Sequence, residues 1–209
     1  MSGEAVLRVE RVSIKRGGRT IISELDVEAS GGEVVGIVGK NGSGKSTLLM
    51  AIAGVLEPTD GRVLIDGASV WGASRDRQRA RSQLGYVPEN ADPPGFLRAS
   101  ELWALCAASR KTSAPSQALV AALGLDELAE LQLERMSLGQ RRRACLAAAL
   151  LGPPRLLVLD EPDNGLDARR IEALVTLLRE HAAAGHVALV STHDRAFLDA
   201  IGARLVELA

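Results

Sequence analysis

Residues 39–47 read Gly39-Lys40-Asn41-Gly42-Ser43-Gly44-Lys45-Ser46-Thr47 and satisfy G-x-x-x-x-G-K-[ST] in full. The pattern carries weight only where a strand precedes it and a helix follows. Val34, Val35, Ile37 and Val38 make an apolar, β-branched stretch of strand length before the loop. Leu48, Leu49 and Ile52 fall at helical spacing after it, and Gly54 is placed to end that helix. Glycines let the backbone wrap closely and turn its N–H groups inward. The helix that follows adds its positive N-terminal end. In this arrangement Lys45 reaches the β- and γ-phosphates of a nucleoside triphosphate, and the Ser46 hydroxyl takes a place on Mg²⁺. An ordinary glycine-rich turn would need none of this agreement between motif and flanks. The stretch predicts a triphosphate site and leaves its use to the rest of the chain.

The 209 residues suffice for one large domain or one domain with an insertion. An apolar content of 46% supplies a core, and a net charge of −1 gives no electrostatic case for nucleic acid. Cys106 and Cys145 have no Cys or His at ligand spacing and lie among Ala and Leu, which predicts buried free thiols in a reducing compartment. No apolar run approaches the ~18 residues that span a bilayer. The first ten residues are mixed polar and strand-like, unlike a signal peptide. The expectation is a soluble cytoplasmic chain that meets a membrane only through a partner.

Taken in order, residues 6–14 alternate as a strand, residues 16–19 turn, and residues 21–29 form a second strand. Residues 57–61 are a strong turn and residues 62–65 a further strand. The run 74–82 holds Arg75, Arg77, Arg79 and Arg81 and reads as a solvated helix face in a chain of balanced charge. Residues 84–87 are a short strand stopped by Pro88, and the proline-rich stretch 89–98 is a loop. From Ser100 to about Met136 the pattern becomes helical, with Leu102, Leu105 and Cys106 on one face and Leu119, Ala122 and Leu123 on another. Ser137 followed by Gln140 is a capping-box pattern at the head of the next helix. Leu156, Leu157, Val158 and Leu159 form a continuous apolar strand before Asp160 and Glu161, as expected of a central parallel strand covered on both faces. The carboxyl end of such a strand is where an open α/β sheet places ligand groups. Residues 171–184 read as an amphipathic helix, residues 186–191 as another buried strand, and His193 follows it.

Beside a triphosphate, Asp160 would hold Mg²⁺ through water, and Glu161 would accept a proton from attacking water, a role worth ~10²–10⁴ in rate. With these residues in view, five motifs in order resemble the ATP-binding subunit of ABC transporters. They are 39–47, Ser137-Leu138-Gly139-Gln140, 156–161, Asn164-Gly165-Leu166-Asp167 and Ser191-Thr192-His193. The resemblance spans nearly the whole chain. It implies an α/β fold: a P-loop NTPase (RecA-like) core with a largely parallel sheet, a small N-terminal antiparallel β subdomain and an inserted helical subdomain. Residues 1–84 and 141–209 would be the nucleotide core with its β subdomain, and 85–140 the helical insertion, within a single domain of 1–209.

The resemblance also implies ATP and Mg²⁺ as ligands and a head-to-tail dimer, with a second copy or a related ATP-binding subunit. Each ATP would lie between the 39–47 loop of one subunit and Ser137, Gly139 and Gln140 of the other, with Asp167 crossing the interface. Ser137 would both cap its own helix and meet the γ-phosphate across the interface. His193 matches the histidine that contacts the γ-phosphate and positions water. Three positions depart from the pattern. Arg16 stands where the family carries an adenine-stacking aromatic; all five aromatics, Trp71, Tyr86, Phe96, Trp103 and Phe197, come after the loop. A guanidinium plane can stack on a base, and the choice between ATP and GTP stays open. Ser137, Gly139 and Gln140 match the family's signature motif, in which Met136 and Leu138 replace the leucine and first glycine, and Glu89 replaces a glutamine, where its carboxylate would serve Mg²⁺ and water.

The implied function is an ATP-hydrolysing subunit attached to the inner face of the membrane through a separate permease. The Tyr86-Val87-Pro88-Glu89 and Ser137-Leu138-Gly139 forms are similar to those serving exporters. Asp92-Pro93-Pro94-Gly95 formally matches a GTPase D-x-x-G, but no Asn-Lys-x-Asp motif accompanies it. A soluble ABC ATPase acting on the ribosome or DNA is the alternative. Such chains carry two modules or long coiled-coil insertions, and this one has neither two modules nor sustained heptads.

Overall fold

Burial separates two kinds of strand in the computed structural model, which describes residues 5–208. The expected core segment 1–84 therefore begins, and 141–209 ends, outside the described residues. Strands β7 (Leu156–Asp160) and β8 (Val187–Ser191) are buried at every position, as both-faced coverage demands. Strands β1 (Ala5–Arg16) and β2 (Arg19–Ser30) mix buried with exposed positions.

The buried kind lies in the interior of a five-stranded parallel sheet. Its order is β6 (Leu84–Val87), β7, β8, β3 (Val34–Gly39) and β9 (Arg204–Leu208). The other kind builds a four-stranded antiparallel sheet, ordered β2, β1, β4 (Asp60–Ile65) and β5 (Ala68–Ser69). The helices are α1 (Lys45–Ile52), α2 (Ser74–Ser82), α3 (Ala99–Arg110), α4 (Gln117–Leu123), α5 (Leu138–Leu150), α6 (Ala168–Ala183) and α7 (Arg195–Ala200).

Strand residues alternate between the two faces of the parallel sheet with period two. Val35, Ile37, Val158 and Leu189 join Leu48 and Leu49 of α1 and the antiparallel sheet in one apolar cluster. Leu157, Leu159, Ala188 and Val190 join Trp103, Leu146 and Leu174 on the opposite face. Fully burying such a leucine is worth about 1.5–3 kcal/mol, so both faces are anchored. Because β3, β6, β7 and β8 are parallel, their carboxyl ends lie on one edge, and all that follows them in sequence starts there.

Several details differ from the sequence reading. The alternation of β1 breaks at Arg11, whose φ is 43° and whose N–H donates to Asp26 Oδ1 at 2.9 Å. The ladder shifts register there, so Leu7 and Val9 before the break, and Val12 and Ile14 after it, all face inward. Leu105 is 58% exposed and does not share a buried face with Leu102 and Cys106. The buried stripe of α3 is Ala99, Trp103 and Ala107, because the Trp103 indole must reach Ala144 O on α5, to which it donates at 2.9 Å. The stretch 100–136 is helical only in α3, α4 and one 3₁₀ turn at Leu133–Arg135, with turns between. Cys106 and Cys145 are free but only partly buried, since they border a surface groove. In α2, only Ala80 is buried, but Arg81 bonds Gly54 O at 2.8 Å and lies over Trp71. No described helix is long and apolar enough to cross a membrane.

Candidate nucleotide site

The loop after β3 is shaped by glycine. Gly44 is the N-cap of α1 with φ 98°, and a Cβ there would meet Ile21 Cγ2 at 2.8 Å and Ile22 Cδ1 at 2.9 Å. Side chains rarely adopt that backbone and none would fit that space. No side chain caps α1, so its first N–H groups stay open to a ligand. Lys45 is 8% exposed and its Nζ donates to Gly39 O at 2.9 Å and Lys40 O at 3.2 Å. The ammonium is thus held over the loop by two backbone acceptors.

A cleft of about 730 Å³ opens onto this loop. Arg16, Asn41, Gly42, Gly44, Lys45, Ser46 and Thr47 line it, together with Glu89, Glu161 and His193 from the ends of β6, β7 and β8. Residues separated by more than a hundred positions meet because parallel strands end on one edge. Gly39 and Lys40 face a neighbouring hollow instead, while Ser43 Oγ is buried against Gly39 without a hydrogen-bond partner.

Glu161 is 6% exposed and holds a φ of 49°, with its N–H donating to Ser191 O at 2.9 Å. A left-handed glutamate is a sparsely populated state that surrounding structure must enforce. Its Oε1 lies 3.2 Å from His193 Nε2. Burial pushes the Glu161 carboxyl above its ordinary pKa; His193 opposes that and Asp163 adds to it. Asp160 is 2% exposed and lies behind the cleft, where its Oδ1 accepts from Ser191 Oγ. The nearby Tyr86 phenol is pushed up to about 12 by burial and by Asp160.

Ser137, Gly139, Gln140 and Asp167 do not line this cleft. Ser137 Oγ accepts from Gln140 N at 3.2 Å and Gln140 Oε1 accepts from Ser137 N at 2.9 Å, a complete capping box on α5. Gly139 packs on the 164–167 loop so tightly that a Cβ would lie 2.1 Å from Gly165 O. Asp167 caps α6 by accepting from Arg170 N at 2.9 Å. Ile21, Asp163 and Asp194 also line the cleft and were not singled out from sequence. Asp163 and Asp194 had a signal in their place directly after motif residues. Ile21 had none, since it arrives from the antiparallel sheet.

A family model described as ABC transporter matches residues 22–164, more than half of the chain. A putative ABC transporter ATP-binding protein of Streptomyces avermitilis is 38% identical over 98% of this chain, which spans 36% of that relative's length. The zinc import ATP-binding protein ZnuC of Cereibacter sphaeroides is 35% identical over 90% of this chain and 73% of its own. The cytochrome c biogenesis ATP-binding export protein CcmA of Nitrosococcus oceani is 35% identical over 90% of this chain and 85% of its own. Among solved structures, an ATP-binding subunit of an ABC transporter superposes with a TM-score of 0.90 at 27% identity, over 97% of this chain and 85% of that one. A dimeric ATP-binding cassette in a post-hydrolysis state with ADP and Pi superposes at 0.82 and 25% identity, over 97% and 94%. With the loop, the strand-end carboxylates and the fold in agreement, the protein belongs to the family of ABC transporter ATP-binding proteins.

Proposed function

We propose that the chain binds Mg·ATP, closes on a second ATP-binding subunit, hydrolyses the nucleotide and drives a separate membrane-spanning permease. The observation that carries this is the pairing of Glu161 with His193 at 3.2 Å, across one cleft from Lys45 and Ser46. Lys45 would exchange the carbonyls of Gly39 and Lys40 for β- and γ-phosphate oxygens. The N–H groups of residues 42–47 would cradle the phosphates, and Arg16 would lie against the base. Glu161 would take the proton of the attacking water as its oxygen approaches the γ-phosphorus, and His193 would hold that water and Glu161 in line.

Ser46, Asp160 and Glu89 offer hard oxygen donors, which fit Mg²⁺, an ion that keeps several waters and needs few protein ligands. The orphaned, buried Asp163 Oδ1 beside the cleft fits the same cation or its water shell. Among the described residues no group of three or more His, Cys, Asp or Glu forms a closed metal cage. Mg²⁺ would supply neutralisation of charge on the β- and γ-oxygens.

Ser137, Gly139, Gln140 and Asp167 would act on the nucleotide of the opposite subunit, second copy or relative. Residues 85–140 would serve as the helical insertion and 1–84 with 141–209 as the nucleotide core. A groove of about 290 Å³ beside Pro88, Pro93, Leu102 and Cys106 would seat cytoplasmic helices from the permease, which would hold the chain at the inner membrane face. Export is the proposed direction, resting on the 86–89 and 137–139 motif forms; the relatives' names include both import and export proteins.

Glu161→Gln tests the assignment. It should keep nucleotide binding, accumulate an ATP-bound dimer and lose ~10²–10⁴ in turnover; turnover like wild type would remove Glu161 as the base. The base must be ionised, and burial raises its pKa, so activity should fall on acidification at a higher pH than an exposed carboxylate would give. A pH–rate profile of the intact chain reads that limb.

A further inference from the structure

Arg142 does not line the nucleotide cleft, yet it is 3% exposed and makes no ion pair among the described residues. Taking a guanidinium out of water is costly, and a neutral side chain of similar volume is the cheaper filling for such a position. Here the charge is satisfied by backbone. Nη1 donates to Pro88 O at 3.0 Å and to Asp160 O at 3.3 Å, and Nη2 donates to Glu89 O at 2.6 Å. Those three carbonyls belong to the ends of β6 and β7, the two strands that deliver Glu89 and Asp160. The residue itself stands on α5, the helix headed by Ser137. Only a forked side chain with several fixed donors spans three acceptors at the ends of two strands.

The neighbouring Arg143 provides the contrast. Its Nη1 donates to Leu123 O at 2.8 Å and Gly124 O at 3.0 Å, and its Nη2 pairs with Glu127 at 2.8 Å. Arg143 fastens helix to helix, away from the cleft. Arg142 fastens helix to site.

We propose that Arg142 is a positioning residue for ATP hydrolysis, which locks the signature helix to the backbone of Glu89 and Asp160. Through this lock, the helix that closes on the partner subunit's nucleotide sets the loop and strand end of its own cleft. The inference rests on the reading of the cleft as an ATP site and is independent of any permease.

The test uses the full chain and three readouts: kcat at saturating Mg·ATP, affinity for a fluorescent ATP analogue, and Trp103 emission in a Trp71→Phe background. Trp103 donates to Ala144 O at 2.9 Å, so its emission reports on α5. Arg142→Met should leave analogue affinity within about twofold. It should lower kcat tenfold or more, about 1.4 kcal/mol of barrier, and abolish the change in Trp103 emission on nucleotide binding. Arg142→Lys should recover part of the kcat, and Arg143→Met should lower thermal stability with less than a tenfold effect on kcat. If Arg142→Met does not fold, Arg142→Lys against wild type carries the same comparison, with kcat down and affinity kept. Unchanged kcat, affinity and kcat falling together, an equal loss in Arg143→Met, or a wild-type Trp103 signal that nucleotide leaves unmoved would each overturn the inference while the ATP site stands. Wild type that fails to bind the analogue overturns the site reading and this inference with it.

Discussion

Two helix N-termini in this protein are aimed at phosphate in the proposed cycle, and they are built differently. That of α1 has a glycine cap and no side-chain acceptor, so its donors are free. That of α5 is closed on itself, with Ser137 and Gln140 satisfying each other's N–H groups. The first is organised by backbone alone and would accept nucleotide in a single subunit. The second must open a capping box worth about 1 kcal/mol before it can bind an anion. In the proposed cycle the difference would order the events: nucleotide would meet α1 first, and α5 would close second, when a partner brings a γ-phosphate strong enough to displace the box. Leu138, 60% exposed at the head of α5 and packed beside Gly165, adds an apolar contact to that second surface.

Breaking the first terminus should have the larger effect. Lys45→Ala removes a charged donor of the class that contributes about 1.5–3 kcal/mol, so nucleotide affinity should fall roughly ten- to hundredfold; titration with a fluorescent ATP analogue reads it. Unchanged affinity would mean that α1 is no more committed to phosphate than α5. Ser137→Ala should cost about 1 kcal/mol of stability through the lost cap. It should also weaken dimer capture in a Glu161→Gln background while leaving nucleotide affinity of the single subunit intact. Thermal melts and size-exclusion profiles measure the two parts. A fall in affinity comparable to Lys45→Ala would erase the contrast. The smallest effect belongs to Glu89→Gln, which removes a negative charge from the cleft lining; less than about 1 kcal/mol of relieved repulsion would raise turnover a fewfold at most. No change in steady-state hydrolysis would show that the charge at residue 89 is immaterial.

The fold class and most of the cleft were legible because their signals are local. Residues 34–54 announce strand, loop and helix in one window, and the all-apolar run 156–159 declares a central strand. The capping box of Ser137 and Gln140 is likewise a four-residue statement. Legibility failed where a residue's role depends on what packs against it. The α3 stripe departs from the sequence pattern at Leu105 because Trp103, facing Ala144 on α5, sets which side turns inward. Strand β9 has no local signal, because an edge strand with one buried, two half-buried and two exposed residues shows no clean period. The reversal in β1 turns on Arg11 and Asp26, fifteen residues apart.

By itself, then, the sequence determined that residues 39–47 form a glycine-rich loop between a strand and a helix, that acids follow a buried strand, and that a second capped helix waits downstream. Each is written within a few bonds of backbone, where spacing and residue type act directly. Only the tertiary structure decided that Glu89, Glu161 and His193 share a cleft with Lys45, since that needs four parallel strands ending together. Only it decided that Arg142 reaches across 53 and 18 residues of chain to Glu89 and Asp160. A buried guanidinium without a counter-ion is tolerated where several carbonyls converge, and which carbonyls converge is a property of packing, not of the run of letters.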